Sequence, residues 1–186
     1  MAVIDVPGYV AELKEHVVDH GFHVHDERHF LETYSLRQAW EVDLHPEDAC
    51  NGPLDLHLNL EVEPRTLLAF EDAVADIEPD AEPPDSWTFP MTFTWALPPL
   101  PHGPDLLRLA LDLSAVAGSD LPLEVSAVDS IPSATDAPER SLTVVAKVTV
   151  SLAKIFTGDE QLCESLDRAL AVSEHLLEHA PRWLDS

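Results

Sequence analysis

Residues 15–20 read EHVVDH and residues 174–179 read EHLLEH: acid, histidine, two aliphatics, acid, histidine. Imidazoles four positions apart lie on one side of a helix, so His16 with His20, and His175 with His179, can each reach a single cation. Glu15, Asp19, Glu174 and Glu178 beside them could serve as oxygen ligands or as partners for the ring nitrogens. Packed side by side, the two segments would bring all four histidines to one metal ion. The expectation is a pair of wet helix faces that happen to match, with the shared metal site as the alternative. His175 and His179 fall away from the Leu166–Leu170–Leu177 stripe, which points them toward solvent. There is no HExxH, so the glutamate base of a zinc hydrolase is missing from its usual place.

Residues 20–29, HGFHVHDERH, add His23, His25 and His29. On a strand, His23 and His25 project together, and the adjacent acids favour the imidazolium. The expectation is a wet surface segment, with pH sensing or metal ligation as the alternative. A polar row, Asp55, His57, Asn59 and Glu61, has the residue types for acid–base work, with Arg37, Glu41, Arg108 and Asp112 expected on neighbouring strands. Such groups need a concave, partly dry setting to be tuned, and the outer face of a sheet supplies none. The chain has no G-x-G-x-x-G, no Walker loop and no G-x-S-x-G elbow, and only 6 glycines. Cys50 and Cys163 show no CxxC or zinc-type spacing and read as two ordinary thiols in a reducing compartment.

The elements that must position these residues follow from hydrophobic period. Val6, Val10, Leu13 and Val17 recur at helical spacing, with Pro7 near the start and Gly21 as the stop. Residues 22–33 carry no clear period. Tyr34, Leu36, Trp40, Val42 and Leu44 then alternate with polar residues, as do Leu54, Leu56, Leu58, Leu60 and Val62. PRTLLAFEDAV returns to helical spacing. From Glu71 to Asp85 seven acids and three prolines predict an exposed loop. Trp87, Phe89, Met91, Phe93, Trp95 and Leu97 share one strand face, and Leu107, Leu109, Leu111 and Leu113 another. A shorter strand covers about 121–128, residues 129–140 are turn-rich, and a last strand runs from Leu142 to Leu152. Thr157 and Glu160 form a candidate capping box for a final helix that Pro181 ends.

A gapless shift of 51 residues lays GPLDLHLNLEV at 52–62 over GPDLLRLALDL at 103–113 with five identities in eleven. It suggests a duplicated β-hairpin. The expected fold is a single α+β domain over residues 1–186. A curved antiparallel sheet of about six strands carries N-terminal, middle and long C-terminal helices on its apolar face.

Charge narrows the partners. Lys plus Arg number 10 against 35 acids, a net charge of −25. That field repels phosphate backbones and anionic lipid, which excludes nucleic acid and membrane surfaces as natural partners; it favours cations, a basic protein or self-association. Adaptation of the whole proteome toward acidic residues would give the same charge. The N-terminus lacks a positive n-region and no run reaches 18 apolar residues, so the expected location is cytoplasmic. The expectation is a non-catalytic acidic binding or adaptor protein that works through protein contacts and needs no cofactor. The alternatives are a carrier holding an apolar small molecule between sheet and C-terminal helix, and a metal-binding protein using His16, His20, His175 and His179.

Overall fold

The computed structural model describes residues 4–78, 81–131, 133, 138–160 and 162–185. Helix α1 (Val6–Asp19) begins where the Asp5 carboxylate accepts from the Gly8 amide at 3.1 Å, with Pro7 in the first turn. Its buried residues are the expected Val6, Val10, Leu13 and Val17. Gly21 takes φ +83°, a conformation that suits glycine, and turns the chain from α1 into strand β1 (Phe22–Leu31). Strands β2 (Gln38–Pro46) and β3 (Asp55–Val62) follow, then α2 (Pro64–Val74) and β4 (Thr88–Ala96). Helix α3 (Leu106–Ala117) precedes β5 (Leu123–Ser130) and β6 (Glu139–Ser151). The short α4 (Leu152–Thr157) and the 22-residue α5 (Cys163–Leu184) close the chain.

All six strands form one open antiparallel sheet in the order β1-β2-β3-β4-β6-β5. The α+β class, the sheet and the long C-terminal helix are as the sequence predicts. One face is buried: Trp40, Val42 and Leu44; Leu56, Leu58 and Leu60; Phe89, Met91, Phe93 and Trp95; Val144 and Ala146. Against it lies the apolar side of α5, made of Leu166, Ala169, Val172, Leu176 and Ala180. Helix α1 packs beside β1 and meets α5 through His16–Cys163 and His20–Asp167, and α3 packs on α5 and β5.

Several expectations need correction. Residues 107–113 are helical, not a strand, so the gapless alignment superposes β3 on α3 and the hairpin is not duplicated. Asp105 caps α3 by accepting from the Arg108 amide at 2.8 Å, and Gly118, at φ +69°, ends it. Its true stripe is Leu109, Leu113 and Ala117, while Leu107 and Leu111 are 72% and 63% exposed. Arg108 and Asp112 therefore pair with each other along α3 at 3.3 Å and do not join the polar row of the sheet. The unassigned residues 22–31 supply the sixth strand. The alternation begins at Gln38, because Tyr34 and Leu36 sit in the β1–β2 turn and Tyr34 is 98% exposed. Thr157 and Glu160 form no capping box: Thr157 donates to Lys154 O at the end of α4, and Glu160 accepts from the Ser151 amide. Pro181 lies inside α5, which runs on to Leu184. Of the predicted loops, residues 79, 80, 132 and 134–137 lie outside the described residues.

Sheet and helix layers are joined by one buried polar link. Trp95 Nε1–H donates to Ser173 Oγ at 2.8 Å, and Ser173 Oγ–H donates onward to Ala169 O at 2.8 Å. Both side chains are almost fully buried, at 1% and 0% exposure. Ser173→Ala leaves the indole N–H without an acceptor in an apolar core, which should lower unfolding free energy by about 1–3 kcal/mol in urea titrations. Unchanged stability would show that the link carries no weight.

Candidate metal centre

Helix α1 presents His16 and His20 one turn apart, with ring centroids 4.7 Å from each other. Facing them is the first turn of α5. Cys163 Sγ lies 3.3 Å from His16 Nε2, and Asp167 Oδ1 lies 2.6 Å from His20 Nδ1. One ligand atom each from His16, His20 and Cys163 falls within 4.8 Å of the others, and all three residues are half-buried. Tetrahedral zinc, with bonds of about 2.3 Å to sulfur and about 2.0–2.1 Å to nitrogen, sets those atoms about 3.6 Å apart. The observed pair is already close to that spacing. Asp167 engages Nδ1 of His20 and leaves Nε2 open to a ligand, the arrangement by which a carboxylate commonly orients a metal-bound imidazole. Cys163 is the first residue of α5.

The four histidines singled out in the sequence do not converge. His175 and His179 stack on each other at 4.3 Å, three turns beyond Cys163 on α5, or about 18 Å along the axis. His179 Nδ1–H donates to His175 O at 2.8 Å, which commits that nitrogen to the helix itself. Burial, reinforced by His179, holds the His175 imidazole below its ordinary pKa. Cys163 is the member that spacing could not reveal, because it lies 147 residues from His16.

A second gathering lies across the Gly21 turn. His23 Nδ1 is 3.2 Å from Cys50 Sγ, and the His25 ring stands 4.6 Å from that of His23 and 4.4 Å from that of His45. His23, His25 and Cys50 also bring one ligand atom each within 4.8 Å of one another. Cys50 follows the 3-10 turn Glu47–Ala49, which the Glu47 amide ties to Gly21 O at 2.9 Å. Burial, then the neighbouring His25, lowers the pKa of His45.

The third such group, Glu41, Asp43 and His57, sits on the outer face of the sheet. Register pairs Asp43 with His57, and one Asp43 oxygen bonds both His57 Nδ1 and the Arg28 guanidinium at 2.6 Å. Arg28 also reaches Glu41 at 2.7 Å, so a fixed cation already occupies the charge-balancing position. Asn59 and Glu61 extend this face, and Arg37 pairs instead with Glu63 at 2.6 Å. His29 stacks on Trp40 at 4.1 Å and bonds Gln38.

A shallow hollow beside His16 is lined by Tyr9, Glu12, Leu13, Glu160 and Leu162. Burial raises the Tyr9 phenol, and Glu160 adds to this. No helix among the described residues is long and apolar enough to cross a membrane. Comparison of the chain with protein-family models, with curated proteins and with solved structures gives no match.

Burial pushes the Glu160 carboxyl above its usual range, against the opposing pull of Lys154 and the Ser151 amide. A carboxyl raised on folding favours the native state while protonated; that contribution is present below the unfolded value and is lost as pH rises through the folded one. Glu160→Gln keeps an oxygen for the Ser151 amide and removes the ionisation. Its Tm should exceed that of the natural protein at neutral pH, and the gap should close toward about pH 4. A lower Tm at neutral pH would contradict the burial argument.

Proposed function

We propose that this protein binds a zinc-class divalent metal ion between its first and last helices. His16, His20 and Cys163 are the ligands, and Asp167 orients His20. The observation that carries this reading is the convergence of two imidazoles and one sulfur from helices at opposite ends of the chain. Cys163 and His16 alone would also suit a thiol nucleophile with its base. The second imidazole and its carboxylate are more than a proton relay requires, and they match what coordination requires. Three protein ligands leave a fourth position for water or an incoming group. An ion held there would clamp α1 to α5, and the surrounding negative field raises its local concentration.

This reading takes up the metal-binding alternative, with Cys163 in place of His175 and His179, and departs from the expectation of an adaptor acting through protein contacts. Trp95 and Leu176, whose neighbourhood an apolar carrier would have to open, are each 1% exposed in the core.

Cobalt(II) reports thiolate coordination through its charge-transfer absorption. In Cys50→Ser protein, reduced and freed of metal, cobalt(II) should still give that band, and adding Cys163→Ser should abolish it. Zinc at a hundredfold excess over its Kd should add about 2.7 kcal/mol to stability. A Cys50→Ser protein with no thiolate band would contradict the proposal.

A further inference from the structure

Strand β1 carries a second arrangement with the same donor types and none of the same residues. Its pairing with β2 breaks between Val24 and Asp26, so His25 is an extra residue in the ladder. A bulge of this kind re-aims a side chain, often at a functional position. Here the inserted residue stands between His23, on its own strand, and His45 on β2, with ring centroids at 4.6 and 4.4 Å. His23 and His45 are direct cross-strand partners in the register. Cys50 Sγ closes the group, 3.2 Å from His23 Nδ1.

The hydrogen bonding leaves coordinating capacity unused. Cys50 Sγ–H donates to Glu47 O at 3.4 Å, with Pro46 O at 3.9 Å, and a thiol is a weak donor that gives up these bonds when it ligates a metal as thiolate. His45 Nδ1 is buried with no hydrogen-bond partner among the described residues, a costly state for a ring nitrogen beside this group. Arg28, which balances the acids of the outer face, is bonded to Glu41 and Asp43 rather than to any member of this group. Two imidazoles and one sulfur, with a third imidazole behind them, suit borderline and soft ions over calcium or magnesium.

We infer that His23, His25 and Cys50, backed by His45, form a second binding centre for a zinc-class ion at the edge of the sheet. His23 and His25 are exposed, whereas the ligands of the α1–α5 centre are all half-buried, so this ion exchanges with solvent more freely. The two centres flank Gly21: His20 belongs to one and His23, three residues on, to the other. The chain between them spans at most about 10 Å.

The test uses the full chain, reduced and metal-free, with cobalt(II) and zinc alone as probes. In Cys163→Ser protein Cys50 is the remaining thiol, so a cobalt–thiolate band there reports this centre. One equivalent should produce the band, and His25→Ala in the same background should weaken cobalt binding at least tenfold. Calorimetry of the natural protein should count two zinc equivalents, which covers the case of a Cys163→Ser chain that does not fold. No band in Cys163→Ser protein, while Cys50→Ser protein shows one, would overturn this inference and leave the interhelical centre intact. The reverse pattern would support this centre and sink the other. A band indifferent to both His23→Ala and His25→Ala, or a single zinc equivalent lost only through Cys163→Ser, would also overturn it.

Discussion

The seating of α5 on the apolar face of the sheet is the constraint from which the other placements follow. Its buried side presses Leu166, Ala169, Val172 and Leu176 toward Phe93, Trp95 and their neighbours, and burying such side chains is the main source of stability in a domain of this size. The apolar stripe sets which side of α5 meets the sheet, and the Trp95–Ser173 hydrogen bond ties its position along it, because a buried indole N–H has one direction and needs one acceptor. With that rotation set, Cys163 and Asp167 on the first turn of α5 face α1, and the other end receives the His102 amide at Trp183 O. The candidate centre is thus a consequence of core packing 10 residues away along the same helix.

How much of this was legible in the sequence depended on how each residue is exposed. Strands β2, β3 and β4 read correctly because one face is core and the other solvent, which writes period two directly into the residue types. Strand β1 did not, since an edge strand wet on both faces beyond Val24 has no reason to alternate. The α3 error has a different cause. In LLRLALDL leucine falls at both two-residue and helical intervals, and Asp105 and Gly118 decide between them. Pro181 failed as a stop signal because α5 continues past it for most of another turn. The histidine pair on α1 was visible from its spacing, but the sulfur that faces it, 147 residues away, was not. That contact exists only after the sheet has brought the two ends together.

The three clusters of ligand-type side chains illustrate how charge balance separates a metal centre from a salt-bridged surface. Glu41, Asp43 and His57 offer hard oxygens and an imidazole, but Arg28 stands among them and supplies the positive charge. Among the described residues, the two cysteine-containing groups have no Arg or Lys bonded to their members. Their donors are softer, and both lie in a chain whose net charge of −25 draws cations to its surface. Each of the chain's 2 cysteines stands beside a histidine drawn from the single segment 16–25. The turn at Gly21 places the halves of that segment on two different layers of the fold.

Zinc K-edge X-ray absorption of the metal-loaded protein examines the central claim directly, because it reads the atoms bound to the ion. The account predicts a mixed first shell, with one sulfur per zinc at about 2.3 Å and the remaining ligands nitrogen or oxygen at about 2.0–2.1 Å. Imidazole scattering should be evident in the outer shells. A first shell of nitrogen and oxygen alone would mean that neither cysteine is a ligand, and the proposed centres would fall.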